Sequence, residues 1–127
     1  MGQSAIPRSG FGRSFSFAGQ GVWCVIRTQR NMRIHLLAAL AAIAVGLALR
    51  VDAADWACIL TAIGLVLTAE TLNTVVEAIV DLCTDEFHPP LAKAAKDMGA
   101  GAVLISSAAA VGVGIAVFLP RLLKLPG

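Results

Sequence analysis

Glu70, Asn73, Glu77 and Asp81 are the residues of this chain whose types and spacing could do chemistry. At about 100° per residue, Glu77 returns to within roughly 20° of Glu70, and Asp81 falls about 20° to the other side. The three carboxylates therefore share one helical stripe. Asn73 and Thr74 flank it, whereas Leu72, Val75, Val76, Ile79 and Val80 cover most of the remaining surface. An ionisable group among such neighbours costs roughly 2.5 kcal/mol or more at membrane depth unless it is paired or hydrated, so the stripe must face protein or water. A carboxylate held away from water is a better proton acceptor, and one nearer water is a hard oxygen ligand of the kind magnesium takes. The plainer alternative for Glu70 is a hydrogen bond between helices.

The elements that must position this stripe are membrane helices. The chain has 127 residues, 57% of them hydrophobic and 14% charged, with a mean hydropathy of +0.80. A soluble domain of this size could not hide so much apolar surface. Cys24, Cys58 and Cys83 have neither metal-ligand spacing nor an even count, so they read as small hydrophobes. The net charge of +2 is modest, and its basic residues sit beside apolar ones near the N-terminus, which favours a membrane surface over nucleic acid.

Residues 1–10 read as a flexible start without a signal-peptide core. Over 11–31, Phe11, Phe15, Ala18, Val22, Val25 and Ile26 recur at spacings of three and four with Arg13, Gln20, Arg27 and Arg30 off that stripe, predicting an amphipathic helix on the membrane surface. Three transmembrane helices are expected at 32–50, 55–83 and 90–119, the second opening on Trp56, the third ended by Pro120. Residues 84–90 contain two prolines and read as a loop. Gly99, Gly101, Ala108, Gly112 and Gly114 would let the third span approach its neighbours closely.

Under that arrangement Arg8, Arg13, Arg27, Arg30, Arg33, Lys93 and Lys96 lie on one side, and Arg50, Arg121 and Lys124 on the other. Seven basic residues against three predict a cytoplasmic N-terminus, with the acidic stripe opening toward the cytoplasm, where ATP and magnesium are available.

Neither a Walker-type phosphate loop nor a serine-centred hydrolase elbow occurs. What does occur is Glu70-x-x-Asn73-x-x-x-Glu77-x-x-x-Asp81, then Glu86-x-His88 and Ala95-Lys96-Asp97, with Arg30-Asn31-Met32-Arg33-Ile34-His35 upstream. Together these resemble the small prokaryotic integral-membrane diacylglycerol kinase and undecaprenol kinase family, from about Phe17 to Leu119.

The resemblance implies a homotrimer in a bacterial plasma membrane, with active sites between neighbouring protomers at the cytoplasmic interface and no phosphorylated enzyme. Glu70 matches the family's catalytic base, Asn73 a polar residue beside it, and Glu77 the metal-binding glutamate. Lys96 would neutralise phosphate charge, while Asp97, Glu86, His88 and Asp81 would contact the nucleotide's sugar and base. Plainer roles stay open: solvated charges for Asp81, Glu86 and His88, and head-group contact for Lys96. Two positions depart from the pattern. Gln29 stands where a glutamate usually assists in holding metal, and a neutral amide is a weaker ligand. The family's N-terminal nucleotide-binding arginine has Arg13 or Arg8 as counterpart, since Gly10 occupies the ungapped position.

The expected activity is transfer of the γ-phosphate of ATP, with Mg2+, to a lipid hydroxyl. The run from Arg30 to His35 looks more like the undecaprenol kinase branch than the enterobacterial diacylglycerol kinase branch. Undecaprenol is therefore the expected acceptor and diacylglycerol the alternative. Rivals of other classes are a small ion-coupled transporter, with Glu70 carrying protons, and an inactive interaction subunit, which Gln29 keeps open. The crowding of Asn73, Glu77, Lys96 and Asp97 on one membrane side favours the kinase, because a transporter needs access from both.

Overall fold

A computed structural model describes residues 10–83 and 89–124, and it consists of four helices with short connections. The order is α1 (Phe11–Thr28), α2 (Arg30–Ala48), α3 (Ala53–Cys83) and α4 (Pro89–Leu123). The chain is an all-α membrane protein: α2, α3 and α4, at 19, 31 and 35 residues, are each long and apolar enough to cross a bilayer. Most of their large side chains, among them Leu37, Leu60, Leu65, Leu104 and Ile105, lie on the outside of the bundle, as lipid-facing residues do.

Several boundaries differ from the sequence expectation: α2 covers 30–48 in place of 32–50, α3 starts at Ala53, α4 takes in Pro89 and Pro90 of the expected loop, and two further differences are larger. The surface helix stops at Thr28, and Gln29 stands alone between α1 and α2 in an extended conformation, φ −101 and ψ 117. Neither glycine nor proline marks this break. Helix α4 does not end at Pro120 but runs through it to Leu123. A proline so close to a C-terminus removes one helical hydrogen bond where few remain to be lost. The Arg121 side chain also bonds the Val117 carbonyl at 2.9 Å, supporting this last turn.

Helix pairing sets the site's depth. Trp56 of α3 lies against Gly46 of α2, so closely that a Cβ on Gly46 would stand 2.8 Å from the indole. At the other end of the same pair, His35 faces Glu70. Helices α3 and α4 share the largest interface and run antiparallel, with Asp55 paired to Arg121 at one end and Asp81 to Lys96 at the other. Val51, Ile59 and Val117 form a buried cluster at the Arg121 end, with Trp56, Ile63, Val113 and Phe118 packed around it.

Measured from Trp56, about 30 Å of hydrocarbon takes about 20 residues of helix and ends near Val76. Glu70 then lies about 9 Å inside the apolar layer, with Glu77 at its edge and Asp81 beyond it. The first turns of α4, with Lys93, Lys96 and Asp97, accompany that protruding end of α3.

The α2–α3 connection is a tight cap. Arg50 N–H bonds Leu47 O at 3.3 Å and Val51 N–H bonds Gly46 O at 3.2 Å, the paired bonds of a Schellman motif. The Asp52 carboxylate then accepts from Asp55 N–H at 3.0 Å, capping α3. This turn places Arg50 at φ 51, a left-handed conformation that costs a side-chain-bearing residue about 1 kcal/mol. Arg50→Gly is expected to raise the thermal midpoint in detergent by relieving up to about 1 kcal/mol, and Arg50→Val to lower it. Circular dichroism melts of the two variants beside the parent chain check the opposite signs.

Candidate active site

Helix α3 turns its polar stripe into the bundle. Glu70 is 1% exposed, the most deeply buried large side chain among the described residues, and Asn73 is 7% exposed. Glu77, one repeat further and about 10 Å along the axis, is half-buried, and Asp81 is exposed. The predicted stripe is therefore real, and it grades from dry to wet.

Three hydrogen bonds organise this face. The Asn73 amide donates to Glu77 Oε1 at 3.1 Å, tying the two residues together. Thr74 donates to the Glu70 carbonyl at 3.0 Å, and Thr71 to the Leu67 carbonyl at 2.8 Å. Glu70 Oε2 is left buried without a hydrogen-bond partner, and so is Asn73 Oδ1. An unpartnered buried oxygen is rare, because the lost hydration costs roughly 1–3 kcal/mol or more.

Two contributors come from other helices. His35 of α2 brings Nε2 to 3.9 Å from Glu70 Oε2. Gly99 of α4 passes so close to α3 that a Cβ there would stand 2.5 Å from Asn73 Oδ1. From sequence, His35 belongs to a motif and Gly99 to the packing glycines, with neither assigned to the site. Their roles depend on which helix faces come together, which no spacing within one helix encodes.

The outer end carries the charges expected at a nucleotide. Lys96 bonds Asp81 at 2.6 Å, with both side chains substantially exposed. Asp97 is paired with Lys93 on the exposed face of α4. Exposed pairs of this kind are worth about 0–1 kcal/mol, so Lys96 can exchange its carboxylate for a phosphate at little cost. Gln29 is half-buried at the α1–α2 break, and Arg13 is exposed in the first turns of α1. No ion pair joins Arg13 to the other candidates among the described residues. Glu86 and His88 lie outside the described residues.

No group of three acidic, histidine or cysteine side chains gathers as a metal cage among the described residues. Glu77 nonetheless suits magnesium, which usually keeps water and takes one or two carboxylates together with substrate phosphates. From His35 an apolar groove of about 240 Å³ runs between α2, α3 and α4, past Ala38, Ala42, Val66 and Leu67 toward Phe118.

A buried carboxylate, a tied asparagine and carboxylate, and a lysine near water thus stand in sequence along one helix pair, beside an apolar groove. Residues 16–118 match the family described as prokaryotic diacylglycerol kinase. The chain belongs to the prokaryotic diacylglycerol kinase family. It is therefore a member of a family of membrane lipid kinases, for which ATP is the phosphoryl donor. The chain is 43% identical over 112 residues to the undecaprenol kinase of Bacillus subtilis, covering 88% of this chain and 90% of that protein. It is also 43% identical to a diacylglycerol kinase of Synechocystis, across 88% of this chain and 64% of that longer protein. With the diacylglycerol kinase of Escherichia coli K12 it shares 35% identity over 81% of this chain and 86% of that one.

The Gly99 contact can be tested within this family frame. Gly99→Ala is expected to push Asn73 off Glu77 and cut lipid phosphorylation by about tenfold or more, whereas Gly101→Ala, with no atom near its added methyl, leaves it within about twofold. Initial rates of the two purified variants make the comparison.

Proposed function

We propose that this chain transfers the γ-phosphate of ATP to the hydroxyl of undecaprenol, with Glu70 as general base and Glu77 holding the magnesium of the nucleotide. The observation that carries this reading is the gradient along α3, from a dry, unpartnered Glu70 to a Glu77 at the wet edge. A base for a lipid alcohol belongs at acyl-chain depth, and a ligand for a metal–nucleotide belongs in water. About 10 Å of helix between them is the distance a triphosphate can span from the head-group region inward.

Phosphoryl transfer asks the protein mainly for positioning and for compensation of charge. Glu70 accepts the proton that the alcohol loses as its oxygen attacks the γ-phosphorus. Asn73 holds Glu77 in place through its amide, and Lys96, released from Asp81, neutralises phosphate oxygens. Magnesium, when bound, withdraws charge from the bridging and terminal phosphate oxygens. Asp81 and Asp97, together with Glu86, His88 and Arg13, are assigned to the nucleotide's sugar and base, and Gln29 to a weak second contact with the metal. A plasma-membrane location with a cytoplasmic N-terminus is supported by the basic-residue asymmetry, and a homotrimer with sites shared between protomers is proposed from the family resemblance.

The acceptor is assigned from the groove. Its lining is almost wholly alkyl, and diacylglycerol would bring two ester groups within a few bonds of the reacting hydroxyl. Buried esters without donors are penalised, while a polyprenol is hydrocarbon up to the hydroxyl-bearing carbon. Diacylglycerol is the second reading, favoured by equal identity to the Synechocystis diacylglycerol kinase.

Purified protein with magnesium, radiolabelled ATP and a panel of lipid alcohols is expected to label undecaprenol in preference to diacylglycerol. Glu70→Gln is expected to lower the rate by about 10²-fold or more. Product undiminished in Glu70→Gln would remove Glu70 as base, and label appearing mainly in diacylglycerol would reverse the acceptor assignment.

A further inference from the structure

The proposed base has an oxygen without a hydrogen-bond partner among the described residues, and His35 stands 3.9 Å from it across the helix pair. On α3, Thr71 and Thr74 donate to backbone carbonyls, and Asn73 Nδ2 donates to Glu77. His35 makes no hydrogen bond among the described residues, yet its Nε2 lies 3.9 Å from Glu70 Oε2. That separation is too long for a direct hydrogen bond and too short for an atom to lie in line between them. It fits a triangle. An oxygen about 2.8 Å from both atoms would sit at the apex, within hydrogen-bond reach of each.

We propose that His35 is a catalytic residue, which binds the acceptor hydroxyl jointly with Glu70. Neutral His35 donates Nε2–H to the alcohol oxygen, and that oxygen donates its own hydrogen to Glu70 Oε2. One oxygen lone pair thereby faces His35, and the other is left for the γ-phosphorus. As the new P–O bond forms, the bond from the γ-phosphorus to the bridging oxygen breaks and ADP leaves with its electron pair. The alcohol proton passes to Glu70, and His35 keeps its proton throughout. The inference deepens the kinase reading and rests on it.

The groove supports the placement. His35 stands 3.9 Å from Glu70 Oε2 and is the polar lining residue at the head of an apolar channel whose one other polar lining side chain is Ser107. Over the next two turns of α2, Ala38, Ala39 and Ala42 line the same channel. A lipid chain lying there would bring its terminal hydroxyl to His35, whose imidazole stands beside Glu70.

The test compares His35→Ala, His35→Leu and His35→Gln in the full-length protein with a polyprenol acceptor, alongside Glu70→Gln. The alanine and leucine variants are expected to lose on the order of ten- to a hundredfold in kcat, with KM for magnesium-ATP within about twofold of the parent. Glutamine, whose side-chain amide is a neutral donor of similar reach, is expected to recover most of the rate. Equal rates in leucine, glutamine and parent would overturn the assignment of His35 while leaving the kinase reading intact if Glu70→Gln remains inactive. Loss in all three His35 variants with a matching fall in thermal midpoint would overturn it in favour of a packing role. A parent protein that labels no lipid alcohol would instead remove the kinase reading itself.

Discussion

A carboxylate oxygen enclosed by apolar helices with no hydrogen-bond donor is expensive, and the rest of this structure is arranged around keeping it so. Glu70 could be satisfied by a threonine or the Asn73 amide of its own helix, but the threonines are committed to backbone carbonyls and the asparagine to Glu77. On the proposed reading, it is this oxygen that receives a hydroxyl arriving through hydrocarbon. The three spans act as walls: α3 supplies the acid, α2 brings His35 opposite it, and α4 comes in at Gly99 to brace the adjoining asparagine.

The opposite end of the bundle does the holding. There the Schellman turn at Arg50, the Asp52 cap, the Arg121 contacts with Asp52 and Asp55, and the cluster around Val51, Ile59 and Val117 tie α2, α3 and α4 together. Close apposition of Trp56 and Gly46 fixes how α2 lies on α3. Because helices are stiff, registration at this end carries to His35 and Glu70 roughly 15 residues away, about 22 Å along the axis. Stability and chemistry are thereby kept at separate ends, and the active end can hold an unpartnered group without loosening the bundle.

Length has a similar logic. At 31 and 35 residues, α3 and α4 exceed what a bilayer's hydrocarbon needs, and the excess lies where Glu77, Asp81, Lys93, Lys96 and Asp97 stand. An enzyme that joins a lipid hydroxyl to a water-soluble nucleotide must reach into both phases. Two overlong helices, packed side by side, do this without a separate soluble domain.

Much of this was legible in the chain before any coordinates. Three apolar runs of adequate length specify spans, and the return of acids every seven and eleven residues specifies a shared face, because both follow from helical periodicity within one segment. The motif from Glu70 to Asp97 carried the family. Less legible were the boundaries at Gln29 and Pro120, where local residues gave no signal or a misleading one, since one broken hydrogen bond near a helix end is tolerated. What only tertiary structure decided was which faces meet: that Glu70 Oε2 is left without a partner, that His35 stands opposite it, and that Gly99 presses on Asn73. Those facts depend on the rotation and register of separate helices, which are set by packing of side chains distant in sequence and not by the spacing along any one of them.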